Sequence, residues 1–396
     1  MLNFQYYNPT LYIYGPGEHH RIGTLLKPYA SKVLLHFGGG SIKRTGLYDA
    51  VVASLEAAGI ACVTMGEVKP NPSLDLVRQG IELCRSEQVD LVLAVGGGSV
   101  IDSAKGIALG VHSPIDVWQY YTDRIGDIRH DVLPVATILT LPAAGSENSP
   151  NTVLTDEAHS LKLGYGHPKL RPLLSIVNPE LFLTLPPNQM ANGASDMLCH
   201  IFERYFTNTQ DTQLSDALSE ATMRTIMQQA LVLAAHPTDL NAWGQLGLSG
   251  TVAHNDLLGI GREQSWACHM LEHELSAAYD VPHGAGLAVV VPPYMEATWP
   301  HNPGIFYQWA TNVMGVTPSR DTESVIREGI SRLRSWYRAL GLPQTMQELG
   351  IPADADFARM AASACERSGG PGNTLLGIYP FNAQDAEAIL RAAVAP

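Results

Sequence analysis

Five side chains in this chain have the types and spacing to build a metal site. Asp196 and His200 form an Asp-x-x-x-His pair inside the run Asn188 to Phe206. Residues four apart share one face of a helix, so this carboxylate and imidazole stack on the same side. Downstream, His269 and His273 repeat that spacing, and His283 follows Val281-Pro282. One carboxylate with three imidazoles suits zinc or iron(II). Spacing alone favours His273 beside His269, and the choice between His273 and His283 stays open. A divalent cation bound to an alcohol oxygen lowers its pKa, as it does for water, and polarises a carbonyl oxygen. His236, His254 and His301 show no such pattern and carry no assignment.

Two loops upstream read as phosphate cradles. Gly38-Gly39-Gly40-Ser41 and Gly96-Gly97-Gly98-Ser99 each follow a short apolar run and precede a helical one. Glycine lets a backbone turn sharply and approach a ligand closely, and the next helix aims its first amides at the loop. Neither loop completes G-x-G-x-x-G, because Lys43 and Ile101 occupy the third glycine position. A standard Rossmann unit is therefore not expected. Lys43 and Arg44 follow the first loop, with no acid before Asp49. A carboxylate there would bind a free ribose 2′-hydroxyl, whereas a base attracts a 2′-phosphate. The reading is NADP in preference to NAD.

The elements that must hold these residues fall into two halves. Val33–Phe37, Ala61–Met65, Leu91–Val95 and Val132–Leu139 read as strands, with helical patterns over Thr45–Ala58, Ser73–Glu87 and Val100–Leu109 between them. Such alternation indicates βαβ units and a parallel sheet. After Leu185-Pro186-Pro187 the rhythm becomes helical, over 188–206, 211–235, 240–258, 263–279, 319–340 and 383–394. The expected division is residues 1–184 as an α/β domain and 185–396 as an all-α metal-binding domain. Leu11-Tyr12-Ile13-Tyr14 reads as a short strand whose exposed edge would pair across a dimer.

Composition limits the partners. The chain has 396 residues, more than one ordinary core holds. Its formal net charge of −13 argues against nucleic acid or an anionic membrane. Charged residues are 16%, below the roughly 25% of an average globular protein, so a large interior is expected. Five cysteines, none in a C-x-x-C pattern, read as reduced thiols of a cytoplasmic protein. The N-terminus lacks a signal-peptide pattern. The apolar run Ala285–Pro293 is too short to span a bilayer.

The longer motifs carry a resemblance. FGGGSIKRTG at 37–46, LAVGGGSVIDSAK at 93–105, LTLPAAGSE at 139–147, LPPNQMANGASDMLCHIFERY at 185–205 and the stretch 266–293 resemble the iron-containing (group III) alcohol dehydrogenase family. Within it they are similar to the NADPH-dependent butanol dehydrogenase and broad aldehyde reductase branch. The resemblance implies a dehydroquinate synthase-like architecture, with an N-terminal dinucleotide-binding α/β domain, a helical C-terminal domain, and metal and nicotinamide in the cleft between them. It implies Asp196, His200, His269 and His283 as ligands of one Fe(II) or Zn(II), with His273 near the substrate as a catalytic proton carrier. It further implies cofactor contacts at Gly38, Gly39, Gly40, Ser41 and Lys43, at Gly96, Gly97, Gly98, Ser99 and Asp102, and at Thr140 and Lys162. A homodimer or larger homo-oligomer is expected. The family usually has Thr-Gly-Ser-Glu where this chain has Ala144-Gly145-Ser146-Glu147.

The expected activity is hydride transfer between nicotinamide C4 and a small primary alcohol or aldehyde. Three alternatives compete: a same-fold lyase resembling dehydroquinate synthase, a metal hydrolase, and a metal- or nucleotide-binding protein without catalysis. The lyase needs several bases around a phosphorylated acid, and Arg204, Arg224 and Arg262 are scattered along the helical half. The hydrolase leaves two glycine loops unexplained.

Overall fold

A computed structural model describes residues 1–395. The chain divides into two compact units, Tyr7–Leu185 and Pro186–Pro396, and Met1–Tyr6 belongs with the second.

The first unit is built on a six-stranded parallel sheet. Its strands are β1 (Leu11–Tyr14), β2 (Lys32–Gly38), β3 (Ala61–Val68), β4 (Leu91–Gly97), β5 (Val135–Leu141) and β8 (Leu174–Val177). β6 (Asn151–Asp156) and β7 (Leu161–Gly166) form a separate antiparallel hairpin. The sheet order is β1-β8-β5-β4-β2-β3. Parallel strands covered on both faces need continuous apolar runs, which 33–37 and 91–95 supply. Leu35, Phe37, Leu93, Val95, Ile138 and Ile176 share a core with Val51 and Leu55 of the helix Leu47–Ala57. Each such burial contributes about 1.5–3 kcal/mol.

One polar residue interrupts this core. His36 is fully buried in β2. Its Nδ1 lies 3.0 Å from the Met65 carbonyl oxygen. A carbonyl only accepts, so Nδ1 carries the proton, and Nε2 accepts from the Ser103 hydroxyl at 2.8 Å. Burial holds the imidazole down to about 4.

The second unit is helical. Its long helices are Pro187–Tyr205, Gln213–Ala235, Leu240–His254, Ala267–Tyr279, His283–Thr298 and Thr322–Ala339, followed by Phe357–Ser368 and Ala383–Ala392. Local chemistry sets several starts. Asp239 accepts from the Ala242 N–H, Asp321 from the Ser324 N–H, and Asn382 with Asp385 forms a capping box. The apolar run of 285–293 forms part of the helix His283–Thr298, with Pro292 and Pro293 inside it. Among the described residues no helix is long and apolar enough to cross a membrane. Leu2 N–H donates to the Gly261 carbonyl oxygen, which ties the N-terminal segment to this unit.

Candidate active site

The two glycine loops are neighbours in space. β2 and β4 are hydrogen-bonded partners in register Phe37↔Val95, so 38–41 and 96–99 leave the same end of adjacent strands. The chain runs from β2 outward to β3, then returns to β4 and proceeds the other way through β5 and β8. The loops therefore sit at the point where strand order reverses, the usual ligand crevice of open α/β sheets. Gly40 has φ +90°, a left-handed turn that a side chain would strain. Lys43 lies in the short helix Ser41–Arg44, with Nζ 5.1 Å from the Phe37 ring and 5.2 Å from the Tyr48 ring. Those two cation–π contacts favour a position of the ammonium beside the first loop.

The remaining expected cofactor residues behave differently from one another. Gly98 and Ser99 open the helix Gly98–Gly110, and Thr140 lies near the end of β5. Lys162 is buried in the β6–β7 hairpin. Asp102 is engaged by the fold itself: its carboxylate accepts from the Ser146 hydroxyl at 2.5 Å and from the Val153 N–H at 3.0 Å. Lys105, one helical turn on, is fully buried. It donates to the Ser146, Ser149 and Asn151 carbonyl oxygens and to the Ser146 hydroxyl, all within 2.9 Å. Together these residues anchor the turn that follows Ala144, and a Cβ on Gly98 would stand 3.0 Å from the Ala144 Cβ.

In the helical unit, three segments bring the metal-binding types together. Asp196 and His200 lie on the helix Pro187–Tyr205, whose start suits proline at its first position. His269 lies on Ala267–Tyr279, and His283 is the first residue of the next helix. Asp196 Oδ1 stands 3.3 Å from His200 Nδ1, 3.7 Å from His269 Nε2 and 3.8 Å from His283 Nε2. Asp196, His200 and His269 are buried. Asp196 Oδ1, His200 Nδ1 and His269 Nε2 have no hydrogen-bond partner. Buried lone pairs left unmatched cost free energy, so three of them around one point fit a cation. The residues present therefore fit a divalent metal.

The electrostatics agree with that fit. Burial pushes His269 down, but the Glu203 and Asp196 carboxylates overcome it and raise the imidazole to about 9. His200 is held well below its ordinary value by burial, with His254, His269 and Arg204 adding repulsion. The carboxylates around His269 thus favour positive charge on that side of the centre.

Two residues absent from the sequence reading complete the geometry. Glu203 accepts a hydrogen bond from His269 Nδ1, and from the Cys268 N–H at 2.6 Å and the His269 N–H at 3.2 Å. Glu272 accepts from His283 Nδ1 and from the Ser276 hydroxyl. Each carboxylate fixes the tautomer and turns the Nε2 lone pair of its histidine inward. Neither pairing is a local one: Glu203 lies 66 residues before His269 and Glu272 11 residues before His283, so no short spacing marks them. His273 is buried one turn beyond His269, with ring centroids 5.6 Å from His283 and 6.3 Å from His269.

The family model for the iron-containing alcohol dehydrogenase matches residues 9–179, and that for the Fe-containing alcohol dehydrogenase C-terminal domain matches residues 190–394. This chain belongs to the iron-containing alcohol dehydrogenase family. The family uses NAD(P) and an iron ion. NADH-dependent butanol dehydrogenase A of Clostridium acetobutylicum is 39% identical over 99% of both chains. The NADPH-dependent aldehyde reductase YqhD of Escherichia coli is 31% identical, over 89% of this chain and 90% of that protein. The crystal structure of NADH-dependent butanol dehydrogenase A from Thermotoga maritima superposes with a TM-score of 0.95 at 37% identity, covering 100% of this chain and 99% of the other. These similarities favour an oxidoreductase over the lyase. Consistent with that, Arg204 and Arg262 are buried and donate into the fold, and Arg224 donates to the Asn312 carbonyl oxygen.

Proposed function

We propose that this iron-containing alcohol dehydrogenase family member interconverts small primary alcohols and aldehydes with NAD(P)H, favouring NADPH. The observation that carries the reading is the set of unmatched buried atoms on Asp196, His200 and His269, with His283 Nε2 beside them. When bound, a divalent metal supplies Lewis acidity to the substrate oxygen, and the nicotinamide supplies or accepts hydride.

The chain's own residues do the positioning. Asp196, His200, His269 and His283 hold the metal, and Glu203 and Glu272 orient two of the three imidazoles. His273, close to two ligand rings, carries the proton between substrate and solvent. The paired loops at 38–41 and 96–99 bind the dinucleotide phosphates through backbone amides. Asp102, already accepting two hydrogen bonds within the fold, acts by shaping the second loop with Lys105 and Ser146. Thr140 and Lys162 complete the cofactor contacts. Residues 1–184 thus serve the coenzyme and 185–396 the metal. The five unpaired thiols support a cytoplasmic setting, and the edge strand β1 supports a homodimer.

The preference for NADPH rests on Lys43, whose ammonium lies over Phe37 and Tyr48 where a 2′-phosphate would be read. The test follows nicotinamide absorbance across a panel of aldehydes with each coenzyme, for the wild type and Lys43→Ala. The reading expects turnover of short aldehydes, better with NADPH, and a loss of that preference in the variant. No absorbance change with any aldehyde would refute the activity. An unchanged coenzyme ratio in Lys43→Ala would refute the role of Lys43.

A further inference from the structure

Behind the metal ligands lies a buried cation that the proposed reaction does not use. Arg204 is 0% exposed and stands one helical turn beyond His200. Its Nη1 donates to the His200 carbonyl oxygen at 2.8 Å. Its Nη2 donates to His254 Nδ1 at 3.3 Å, so the proton of a neutral His254 lies on Nε2. The guanidinium carbon lies 4.7 Å from the Trp266 ring centroid. The His254 ring packs against His200, with centroids 4.1 Å apart. His200 is thus backed by a cation where His269 and His283 are backed by carboxylates.

The charges of this buried cluster can be balanced by inspection. Asp196, Glu203 and Glu272 are buried carboxylates. Glu274, on the helix of Glu272, is matched by Arg367 at 2.9 Å. A dication at the centre leaves one negative charge over, and Arg204 supplies the positive charge that cancels it. Asp256 stands 3.6 Å from Arg204 Nη2, but its side chain is 34% exposed, so solvent screens it in part and it offsets only a fraction of the guanidinium's charge. A trication would leave net positive charge in a medium where charge interactions are strong and uncompensated charge is costly.

We propose that Arg204 is a positioning residue that holds His200 and balances the centre for a divalent ion, so that bound iron is kept ferrous. This inference rests on the reading of the four side chains as a metal centre. An arginine keeps its charge throughout the neutral pH range, so this contribution is constant there.

The test is an anaerobic, mediator-coupled redox titration of the iron-loaded full-length protein. It compares the wild type with Arg204→Lys, Arg204→Gln and Asp256→Asn. Arg204→Gln should shift the equilibrium at least tenfold toward ferric iron, a fall in midpoint potential of about 59 mV or more. Arg204→Lys keeps the charge and should stay close to the wild type. Asp256→Asn unmasks the guanidinium and should move the potential upward. A merely structural arginine would make Lys and Gln equally damaging and leave Asp256→Asn without effect on the potential. Iron-loaded Arg204→Gln and Asp256→Asn with wild-type potentials would overturn the inference. If Arg204→Gln cannot hold iron, Asp256→Asn alone decides by its upward shift or lack of one. A wild-type protein that takes up no iron would overturn the iron-centre reading itself, and this inference with it.

Discussion

Gly284 packs so tightly on Asn192 that a Cβ at position 284 would stand 2.0 Å from the Asn192 carbonyl oxygen. Asn192 is one turn before Asp196, and Gly284 directly follows His283. This contact sets the distance at which His283 meets Asp196. Gly284→Ala must push the helix His283–Thr298 away from the helix Pro187–Tyr205, because backbone cannot yield as a side-chain tip can. The variant should lose metal affinity by tenfold or more while its far-ultraviolet circular dichroism stays helical. A competition titration against a coloured chelator measures it.

Glu203→Gln and Glu272→Gln test the outer carboxylates. Each removes a negative charge behind an imidazole while keeping side-chain size. Removal of such partners lowers metal affinity by about 10–100-fold. Glu203 also accepts two backbone N–H groups at the start of the helix Ala267–Tyr279, so its variant should lose thermal stability as well. Chelator competition and thermal unfolding, run on both proteins, separate the two effects.

His269→Ala and His273→Ala should part company. His269 Nε2 faces Asp196 Oδ1, so its loss should empty the centre and abolish turnover. His273→Ala should retain metal and alter the pH–rate profile. Elemental analysis with initial rates across pH distinguishes them, and the opposite pattern would exchange the two assignments.

His36 predicts an acid sensitivity in the sheet. Burial holds its folded pKa down to about 4, against an ordinary value of 6.5. Protonation therefore favours the unfolded chain. The contribution to stability is fully present above pH 6.5 and is lost as pH falls through 4. That difference amounts to about 3 kcal/mol. His36→Gln, whose amide can meet both Met65 and Ser103, should flatten this part of the stability curve. Denaturant unfolding between pH 4 and 7 provides the comparison, and parallel curves would show that His36 contributes nothing.

Much of the site is legible in the sequence because its signals are local. Asp196 with His200 is a one-turn spacing, and each glycine loop is a contiguous motif after an apolar run. The parallel sheet follows from strands of unbroken apolar residues such as Leu91–Val95. What the sequence hides is convergence. Glu203 and Glu272 are ordinary helix carboxylates until the fold places His269 and His283 against them. Gly284 looks like a helix-start glycine until Asn192 approaches it. The β6–β7 hairpin escapes because Asn151–Asp156 mixes polar and apolar residues without a clear alternation, and the two glycines of Leu161–Gly166 weaken its strand signal. The helix from His283 escapes because its apolar side chains leave no polar face to mark a helical period.

Asp196, His200, His269 and His283 are proposed to hold one divalent ion on which aldehyde reduction depends. The direct test is turnover after exhaustive dialysis against a chelator, with metal content measured on the same sample, followed by addition of iron(II) or zinc(II). Activity should fall with metal content and return at one ion per chain in the wild type, and should not return in Asp196→Ala. Full activity in a sample verified to be metal-free would contradict it.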